Sequence, residues 1–570
     1  MSATLSGAEL IAESLVALSV SHIFGIVGIP VIEAADACIA RGITFVSFRN
    51  EQAASYAASI YGYLTGKPGV CLVVGGPGVL HAVAGVGNAS ANHLPLLLLA
   101  GSSETHQTKK GAFQELDQVA YLTPHTKLAA RPANLEALPG LLEQAYRVSY
   151  FGRPGPTYID LPGDFIKGTA DRSQIPLIKP PGPAPKSSGD PARISQAIAL
   201  LRTAKSPLII VGKGAAYARA ENAIRALHTY LQVPFLPTPM GKGVIPDDSV
   251  LNVSAARSAA LKSADVVLLL GARLNWILHY GEPPKYHTDV QFIQVDLAGD
   301  ELGNNAAQPE LAIVGDVGLV AEQLLAGFQQ VQPPALVQAA LPTHLETIKA
   351  RNTAKAARTD IDQAFPIKYQ PVYRVIREAL AQHTATSGQR VVYVSEGANT
   401  MDISRSSFPL QEPRTRLDAG TNATMGVGLG YAIAAKAADP ASLVVAIEGD
   451  SAFGFSAIEV ETAVRSRLPV IIIVMNNSGV YHGVDPKLYE TLDAKPLPST
   501  ALQLETKYHL LAESLGARGY LVHTLDEVQT AFEDALAHPT ETSVLNIIID
   551  VGKDKKLEFG WMASTKKAKL

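Results

Sequence analysis

Residues 448–481, EGDSAFGFSAIEVETAVRSRLPVIIIVMNNSGVY, predict a strand, a turn, a helix and a second strand. The apolar run at 444–447 is the first strand, and a second apolar run follows at 470–475. Ser456 and Glu459 have the S-x-x-E spacing of a capping box, which predicts that the helix begins there, just after the turn. Two strands joined by a helix in this way indicate a parallel α/β sheet.

Oxygen donors follow both of these strands. Asp450 and Ser451 come after the first strand, and Asn477 and Gly479 come after the second. Because the carboxyl ends of parallel strands meet at one edge of a sheet, we expect these donors to converge. A carboxylate, an amide oxygen and a glycine-rich backbone suit Mg²⁺ with open positions for phosphate oxygens better than they suit zinc. The structural alternative is an ordinary strand–helix–strand unit in which Asp450 caps the helix.

The same segment resembles the thiamine diphosphate signature, which begins Gly-Asp-Gly and ends Asn-Asn after nearly this spacing. Ser451 stands at the usual third glycine, and with the Ala-Phe-Gly-Phe-Ser that follows it resembles the branch of 2-hydroxyacyl-CoA lyases and oxalyl-CoA decarboxylases. The resemblance implies that Asp450, Asn477 and the Gly479 carbonyl bind Mg²⁺. It also implies cofactor contacts at Gly449, Asp450, Ser451, Asn477, Gly479, Val480 and Tyr481.

The composition is that of a large α/β protein. The 570 residues are 47% hydrophobic, and this length predicts three or four domains. The formal net charge of −4 argues against nucleic-acid binding. The 2 cysteines predict neither a disulfide framework nor a cysteine-ligated zinc site and indicate a reducing compartment. We expect no signal peptide and no transmembrane span, and therefore a soluble protein.

Residues 1–172 are predicted to form a first domain, in which strands and helices alternate as in a doubly wound parallel sheet. In the resembling family this domain binds the pyrimidine ring of the cofactor. Its cofactor-contacting turns match Gly28, Pro30 and Pro77 in this sequence.

Glu51 is the candidate catalytic residue of the first domain. It opens an alanine-rich helix, and a lone glutamate at that position is also explained by the helix dipole. The sequence from Arg49 to Ala54, RNEQAA, however resembles the family motif whose glutamate hydrogen-bonds the aminopyrimidine ring. His81 completes a Gly-Pro-Gly-x-x-His pattern, which in that family orients an intermediate.

The loop at 111–118, GAFQELDQ, is the candidate substrate loop. Phe113 and Gln114 match an aromatic residue and an amide near the reacting carbon of the resembling lyases, whereas the decarboxylases usually carry Tyr and Glu there. The two residues therefore favour the lyase. A polar surface loop is the structural alternative.

A proline-rich connector at 176–185 leads to a central domain at 190–330. Complete G-x-G-x-x-G and P-loop patterns are absent, so an independent nucleotide-hydrolysing site is not supported. In the resembling family, decarboxylases bind an adenine nucleotide in this domain, and other members bind FAD. The resemblance implies a candidate site for ADP or another adenine nucleotide at Arg153, Lys213, Arg273, Asp296 and Asp316. A purely structural domain with solvated charges is the alternative.

Residues 366–552 are predicted to form a third domain, which in the resembling family binds the diphosphate. Ala398 and Asn399 lie in a turn that resembles a diphosphate contact. Met425 matches the bulky residue that bends the cofactor, and a backbone carbonyl near Ala423 faces its amino group. A single methionine is otherwise more simply explained as a core side chain.

The predicted fold is α/β, with three doubly wound parallel-sheet domains of the thiamine diphosphate enzyme type. Glu51 and Asp450 fall in different domains of this fold. In the resembling family they come from different subunits, which implies at least a homodimer and favours a homotetramer.

The resemblance implies a carbon–carbon lyase that cleaves a 2-hydroxyacyl-CoA into formyl-CoA and an aldehyde, with thiamine diphosphate and Mg²⁺. Release of CO₂ from oxalyl-CoA leaves the same carbanion, so an oxalyl-CoA decarboxylase, or both activities in one site, stays open. Two remoter alternatives are an acetolactate synthase-like carboligase with FAD in the central domain and a catalytically silent cofactor-binding protein.

Residues 553–570, KDKKLEFGWMASTKKAKL, are a polar tail with apolar anchors. Resembling relatives use such a tail as a lid over the CoA substrate, and a disordered basic tail is the alternative. The final Ala568-Lys569-Leu570 is a close variant of the peroxisomal address Ser-Lys-Leu. It predicts binding to the import receptor and a location in the peroxisome matrix, which agrees with fatty acid α-oxidation.

Overall fold

The computed structural model describes residues 4–331, 341–491 and 496–552. Its first part contains the strands β1 (Thr4–Ser6), β2 (His22–Gly25), β3 (Thr44–Ser47), β4 (Gly69–Val73), β5 (Leu96–Ser102), β6 (Ala129–Ala130), β7 (Pro156–Pro162) and β8 (Thr169–Asp171). β2 to β7 form a parallel sheet, the first sheet, in the order β3-β2-β4-β5-β7-β6. β1 and β8 form a separate antiparallel pair.

The helices of this part are α1 (Gly7–Ala17), α2 (Ile32–Ala40), α3 (Glu51–Thr65), α4 (Pro77–Asn92), α5 (Gln118–Leu122), α6 (Leu138–Tyr150) and α7 (Gly163–Lys167). Their starts follow the local sequence. Asn50 caps α3 by accepting a hydrogen bond from the backbone nitrogen of Gln52. Pro77 is the first residue of α4, after Gly76 with a φ of 55°, so the chain turns sharply from β4 into α4.

The central sheet is also parallel. Its strands are β9 (Pro207–Val211), β10 (Phe235–Pro237), β11 (Val266–Leu270), β12 (Gln291–Asp296) and β13 (Ala312–Val314), in the order β10-β9-β11-β12-β13. The accompanying helices are α8 (Pro191–Thr203), α9 (Lys213–Tyr217), α10 (Glu221–Leu231), α11 (Arg257–Ser263), α12 (Val317–Gln330) and α13 (Thr343–Asp360).

The third sheet contains β14 (Val391–Glu396), β15 (Arg416–Asp418), β16 (Leu443–Gly449), β17 (Ile471–Asn476), β18 (Arg518–Val522) and β19 (Ser543–Ile548). All its pairs are parallel, in the order β15-β14-β16-β17-β19-β18. Its helices are α14 (Tyr369–Ser387), α15 (Ala398–Ser407), α16 (Gly428–Ala438), α17 (Asp450–Ser456), α18 (Glu459–Arg465), α19 (Tyr508–Ser514) and α20 (Leu525–Ala537). The predicted fold of parallel sheets with interleaved helices is therefore confirmed.

The first and third sheets share one topology. When the six strands of each sheet are counted in sequence order, both sheets have the spatial order 2-1-3-4-6-5. The strand order therefore reverses between β2 and β4, and again between β14 and β16. Open parallel sheets bind ligands at the carboxyl edge of such reversal points. The chain thus offers two topologically equivalent binding edges.

The predicted capping box is wrong. α17 begins at Asp450, directly after β16, and Ser456 is its last residue. Glu459 begins α18, but both oxygens of its carboxylate lie 3.2 Å from the backbone nitrogen of Arg49 in the first part of the chain. The glutamate therefore makes a contact between distant segments, which S-x-x-E spacing does not reveal.

The first and third sheets also share a continuous apolar core, which includes side chains of α3, α4, α16 and both sheets. The packing of α16 on α3 is close at Gly430, where a Cβ atom would lie 2.7 Å from the carbonyl oxygen of Ala53. The first turn of α3, which begins with Glu51, is therefore held against the third sheet's helices. Within the described ranges, no helix has the length and apolar character to cross a membrane.

Candidate functional site

The carboxyl edge of the third sheet brings Asp450, Asn477 and Gly479 together. Asp450 is the first residue of α17, and the other two lie in the loop after β17. The backbone nitrogen of Gly479 lies 3.2 Å from a carboxylate oxygen of Asp450 and 3.2 Å from the amide oxygen of Asn477. The two predicted oxygen donors thus converge on one backbone N–H.

These donors fit a hard divalent cation. Asp450 is 2% exposed, and burial raises the pKa of its carboxyl to about 7. A bound cation would compensate the buried negative charge, and carboxylate, amide and backbone carbonyl oxygens are the ligands that Mg²⁺ accepts. The described ranges contain no group of three or more His, Cys, Asp or Glu side chains that could hold a metal ion. Asp450 with amide and backbone oxygens is therefore the candidate metal site.

The predicted diphosphate contacts surround this point. Ala398 begins α15 after β14, and the Asn399 side chain donates a hydrogen bond to the carbonyl oxygen of Tyr481 at 2.9 Å. Gly397 approaches the next strand so closely that a Cβ atom there would lie 3.1 Å from the nitrogen of Gly449. Two helix starts and the loop at 477–481 thus form one cradle of backbone groups, as diphosphate oxygens require.

Buried glutamates fix the loop at 420–427 beside this cradle. The two carboxylate oxygens of Glu396 accept hydrogen bonds from the backbone nitrogens of Gly426 and Gly428, the latter at 2.5 Å. Glu448 is paired with Glu396 across the neighbouring strands, and burial raises the pKa of both carboxyls, that of Glu396 to about 7. A Cβ atom at Gly428 would lie 2.3 Å from a Glu448 oxygen, so this position requires glycine.

The predicted cofactor residues Ala423 and Met425 lie on this loop. Ala423 is exposed with a φ of 50°. Met425 is half-buried and does not belong to any of the buried core clusters of the described residues. Its position therefore differs from that of a gap-filling core side chain.

Glu51 and His81 form the polar centre at the edge of the first sheet. Glu51 begins α3, His81 lies on α4, and the His81 Nδ1 atom is 3.0 Å from the Glu51 Oε2 atom. The Glu51 side chain is 14% exposed, whereas that of His81 is 62% exposed. One carboxylate oxygen of Glu51 is thus engaged by a histidine that faces outward.

The predicted cofactor turns lie at the reversal point of the first sheet. Gly28 and Pro30 follow β2, and Pro77 follows β4. A Cβ atom at Gly28 would lie 2.7 Å from the Val74 side chain, so the two turns are in contact. Pro30 is buried, and Pro77 is exposed.

Gln118, at the end of the candidate substrate loop, anchors this loop to the turn that follows β4 and to β5. The Gln118 Oε1 atom accepts a hydrogen bond from the Gly76 nitrogen at 2.7 Å, and Nε2 donates to the Gly101 carbonyl at 2.9 Å. Phe113 is 72% exposed, and Gln114 has a φ of 56°. An exposed aromatic side chain on an anchored loop has the character of a contact residue and does not stabilise the core.

The pair Glu51 and His81 at the first sheet and the pair Asp450 and Asn477 at the third sheet, the two half-sites, have no polar contact with each other among the described residues of one chain. In the part of the chain that the structure describes, no hydrogen bond or ion pair connects Glu51 or His81 with Asp450 or Asn477. Large apolar side chains are exposed near both half-sites: Ile29, Leu80 and Phe113 near the one at the first sheet, and Phe455, Ile458 and Val480 near the one at the third sheet. Each half-site therefore presents an uncovered apolar surface.

The five residues of the predicted nucleotide site line one cavity of about 620 Å³, bounded by loops of all three sheets. The Lys213 ammonium nitrogen is buried there without a hydrogen-bond partner among the described residues, and burial lowers its pKa to about 7. Burial also raises the pKa of Asp296, at the end of β12. The other three have partners: Arg153 pairs with Asp300, Arg273 donates to Thr421, and Asp316 caps α12.

Sequence reasoning missed the roles of Glu448, Glu459 and Gln118. A signal for Glu448 exists, because a Glu-Gly pair occurs at the end of both β14 and β16, with the two glutamates at paired positions. Gln118 and Glu459 contact backbone atoms far away in the sequence, which only the fold reveals. The tail at 553–570, with its predicted lid and targeting roles, lies outside the described residues.

Comparison with known proteins gives consistent matches along the chain. Models described as thiamine pyrophosphate enzyme, N-terminal TPP binding domain, central domain and C-terminal TPP binding domain match residues 5–121, 194–324 and 396–547. The chain is 44% identical over 568 residues to 2-hydroxyacyl-CoA lyase 1 of Mus musculus, covering 98% of this chain and 96% of the mouse protein. It is 44% identical over 577 residues to 2-hydroxyacyl-CoA lyase of Saccharomyces cerevisiae, covering 98% and 99%. It is 38% identical over 550 residues to oxalyl-CoA decarboxylase of Escherichia coli, covering 95% of each chain.

Proposed function

The chain belongs to the thiamine pyrophosphate enzyme family, and we propose that it is a carbon–carbon lyase that cleaves a 2-hydroxyacyl-CoA into formyl-CoA and an aldehyde. The observation that carries the proposal is the pair of half-sites at equivalent edges of two sheets. One half-site holds Glu51 beside His81, and the other holds Asp450 beside Asn477. The full-length similarity to proteins named 2-hydroxyacyl-CoA lyase supports the substrate class.

Oxalyl-CoA decarboxylation is the second candidate activity, and the similarity to the E. coli decarboxylase supports it. Phe113 and Gln114 favour the lyase, because an exposed phenylalanine beside an uncharged amide offers an apolar surface and no cation to pair with a carboxylate. Oxalyl-CoA ends in a carboxylate, whereas a 2-hydroxyacyl chain is largely apolar. The lyase is therefore the principal activity that we propose.

Thiamine diphosphate, when bound, supplies a nucleophilic carbon and accepts the electron pair of the broken carbon–carbon bond. Asp450, Asn477 and the Gly479 carbonyl would hold its diphosphate through Mg²⁺, and Ala398 and Asn399 would contact the same oxygens. Glu51 would hold a proton at its carboxylate and exchange it with the pyrimidine ring. His81, with Nδ1 3.0 Å from the Glu51 Oε2 atom, would orient that carboxylate. Phe113 and Gln114 would contact the acyl part of the substrate.

The active enzyme that we propose is a homodimer or a dimer of dimers. Exposed apolar side chains near both half-sites, such as Phe113 at 72% and Phe455 at 61%, support a second copy that covers them. In such an assembly, the Glu51 half of one chain would meet the Asp450 half of its partner. Size-exclusion chromatography with light scattering tests this assembly, and a monomer that is fully active would contradict it.

We further propose that the central cavity binds ADP or a similar adenine nucleotide. The Lys213 ammonium nitrogen, which is buried without a hydrogen-bond partner among the described residues, and the half-buried Asp296 carboxyl support a ligand with both phosphate oxygens and hydroxyl groups. Calorimetric titration with ADP tests this site. Wild-type protein that takes up no ADP would contradict it.

A peroxisomal location is proposed on the basis of Ala568-Lys569-Leu570. Removal of Leu570 from a fluorescent fusion should leave the protein in the cytosol. Continued import into punctate organelles would contradict a C-terminal address.

The proposed activity is tested by a product assay with thiamine diphosphate and Mg²⁺. A long-chain 2-hydroxyacyl-CoA and oxalyl-CoA are offered separately, and formyl-CoA, aldehyde and CO₂ are quantified. We expect formyl-CoA and aldehyde from the first substrate at a higher kcat/KM than that for oxalyl-CoA. Turnover of oxalyl-CoA alone would assign the decarboxylase instead.

A further inference from the structure

The first residues of the loop at 420–427 are held by residues outside the third sheet. The backbone nitrogen of Thr421 donates a hydrogen bond to the Asn92 Oδ1 atom, at the end of α4, at 2.8 Å. A Cβ atom at Gly420 would lie 2.2 Å from the same Asn92 oxygen. The Thr424 hydroxyl donates to the Asn88 Oδ1 atom, also on α4, at 3.1 Å. The start of the loop is therefore packed directly on α4.

Arg273, which follows β11 of the central sheet, adds a second attachment. Its Nη2 atom donates to the Thr421 hydroxyl at 2.9 Å and to the Ala91 carbonyl at 2.9 Å. Its Nη1 atom lies 3.1 Å from the His93 Nε2 atom. Burial, together with the nearby Lys213 and Arg273, lowers the pKa of His93 to about 2, so its neutral ring can accept this hydrogen bond. One guanidinium thus connects α4, the central sheet and the loop.

Trp276 provides the third attachment, because its Nε1 atom donates to the Thr421 carbonyl at 2.7 Å. The backbone nitrogen, the carbonyl and the hydroxyl of Thr421 therefore each have a hydrogen-bond partner in another part of the chain. Ala423 and Met425, the proposed cofactor contacts, lie two and four positions further along the same loop. Fixing Thr421 fixes the start of that segment.

We infer that Arg273 and Trp276 are positioning residues for thiamine diphosphate, which act through Thr421 to hold the loop that carries Ala423 and Met425. The inference rests on the proposed function, in which Ala423 and Met425 contact the cofactor. Both hydrogens of the Arg273 Nη2 atom donate to groups of the protein, so these two hydrogens hold the loop and are not free for the phosphate contact that the sequence predicts. A loop that is already ordered loses little conformational entropy when the cofactor binds, and this strengthens binding.

The direct test is the dissociation constant of thiamine diphosphate for the full chain at saturating Mg²⁺, measured by calorimetry without substrate. We expect Arg273→Gln to weaken binding by about fivefold to thirtyfold, the effect of losing one or two hydrogen bonds. Arg257→Gln is the matched control. Arg257 donates to the Ile277 carbonyl at 2.7 Å and lies 3.1 Å from the His279 Nε2 atom in the same part of the chain, without a hydrogen bond to the loop.

Three milder variants keep the test decisive if Arg273→Gln does not fold. Trp276→Phe removes the indole donor and keeps an aromatic ring. Thr421→Val removes the hydroxyl, whereas Thr421→Ser keeps it. We expect Trp276→Phe and Thr421→Val to weaken cofactor binding, whereas Thr421→Ser should bind within about twofold of wild type. Arg273→Gln should add little to Thr421→Val, since both remove the hydrogen bond between Arg273 and the Thr421 hydroxyl.

The inference is overturned if Arg273→Gln and Arg257→Gln change the dissociation constant equally, or if Thr421→Val binds as tightly as Thr421→Ser. A wild-type chain that binds no thiamine diphosphate would overturn both the inference and the proposed function. Normal cofactor binding without any lyase product would contradict the proposed function alone, because the binding measurement contains no substrate.

Discussion

Glu51 owes its position to contacts that converge on the start of α3. Asn50 caps the helix by accepting from the Gln52 nitrogen at 2.8 Å, and Glu459 holds the Arg49 nitrogen from the side of the third sheet. His81 then orients the carboxylate at 3.0 Å. Glu51 and His81 are both recognisable as candidates in the sequence, but the contacts that Glu459 and His81 make with the start of α3 are not, because these two residues lie on other helices.

We predict that Glu51→Gln retains the cofactor and loses turnover. The amide keeps the shape of the side chain but cannot exchange the proton that the proposed reaction requires. We expect kcat to fall by at least about 100-fold, while the dissociation constant of thiamine diphosphate changes by less than about fivefold. Steady-state kinetics and calorimetry measure the two effects, and a variant with full activity would exclude Glu51 as the catalytic residue.

Lys213 gives a prediction that depends on pH. Burial lowers the pKa of its ammonium group to about 7, so at pH 8 the empty cavity holds mostly the neutral amine. A phosphate beside it favours the charged form, so ADP binding at pH 8 should take up protons. Calorimetry in buffers of different ionisation enthalpy measures this uptake. Lys213→Met should weaken ADP binding and abolish the uptake, and proton release on ADP binding to wild type would contradict the role of Lys213.

At the scale of elements, α18 connects the third sheet with the start of α3. Glu459 is fully buried, and its carboxylate accepts hydrogen bonds from the Arg49 nitrogen and, at 2.5 Å, from the Thr462 hydroxyl. Burial, opposed by these hydrogen bonds, raises its pKa to about 7. Because the folded-state pKa lies above the unfolded value, Glu459 contributes most to stability at low pH. That contribution is lost as the pH rises from about 4.5 to about 7.

We predict that Glu459→Gln removes this contribution to the pH dependence of stability. The variant cannot ionise, so the difference in unfolding free energy should shift in its favour by about 2 kcal/mol between pH 4.5 and pH 7.5. Denaturant titrations at these two pH values measure the difference. A constant difference would show that Glu459 has an ordinary pKa. Glu461→Gln on the same helix, whose side chain is 26% exposed, is the control.

The elements themselves were largely predictable, because buried parallel strands are apolar runs between turns. β11 follows the pattern directly, with the sequence VVLLL. The helix starts in this segment were not predictable from the capping-box pattern, because Ser456 ends α17 and the Glu459 carboxylate accepts a hydrogen bond from the distant Arg49 nitrogen. The convergence of Asp450 and Asn477 was predictable, because it follows from strand direction alone.

In the whole molecule, the first and third sheets have the same topology, and each has a binding edge at the same place in its strand order. The Glu51 half lies on the first sheet and the Asp450 half on the third, and both sheets reverse their strand order at the same point. α3 and α16 pack between them in one core, closely enough to require Gly430. Each half-site of a chain is therefore fixed relative to the other, and in the proposed dimer the partner would supply the complementary half.

Complementation between two inactive variants tests whether two chains share one active site. Glu51→Gln retains the Asp450 half-site, and Asp450→Asn retains the Glu51 half-site. When the two variants are coexpressed and copurified, mixed dimers contain one intact site, so the account predicts lyase activity of about a quarter of the wild-type value from a statistical mixture. If the mixture is as inactive as each variant alone, although mixed dimers form, the account of a shared site is contradicted.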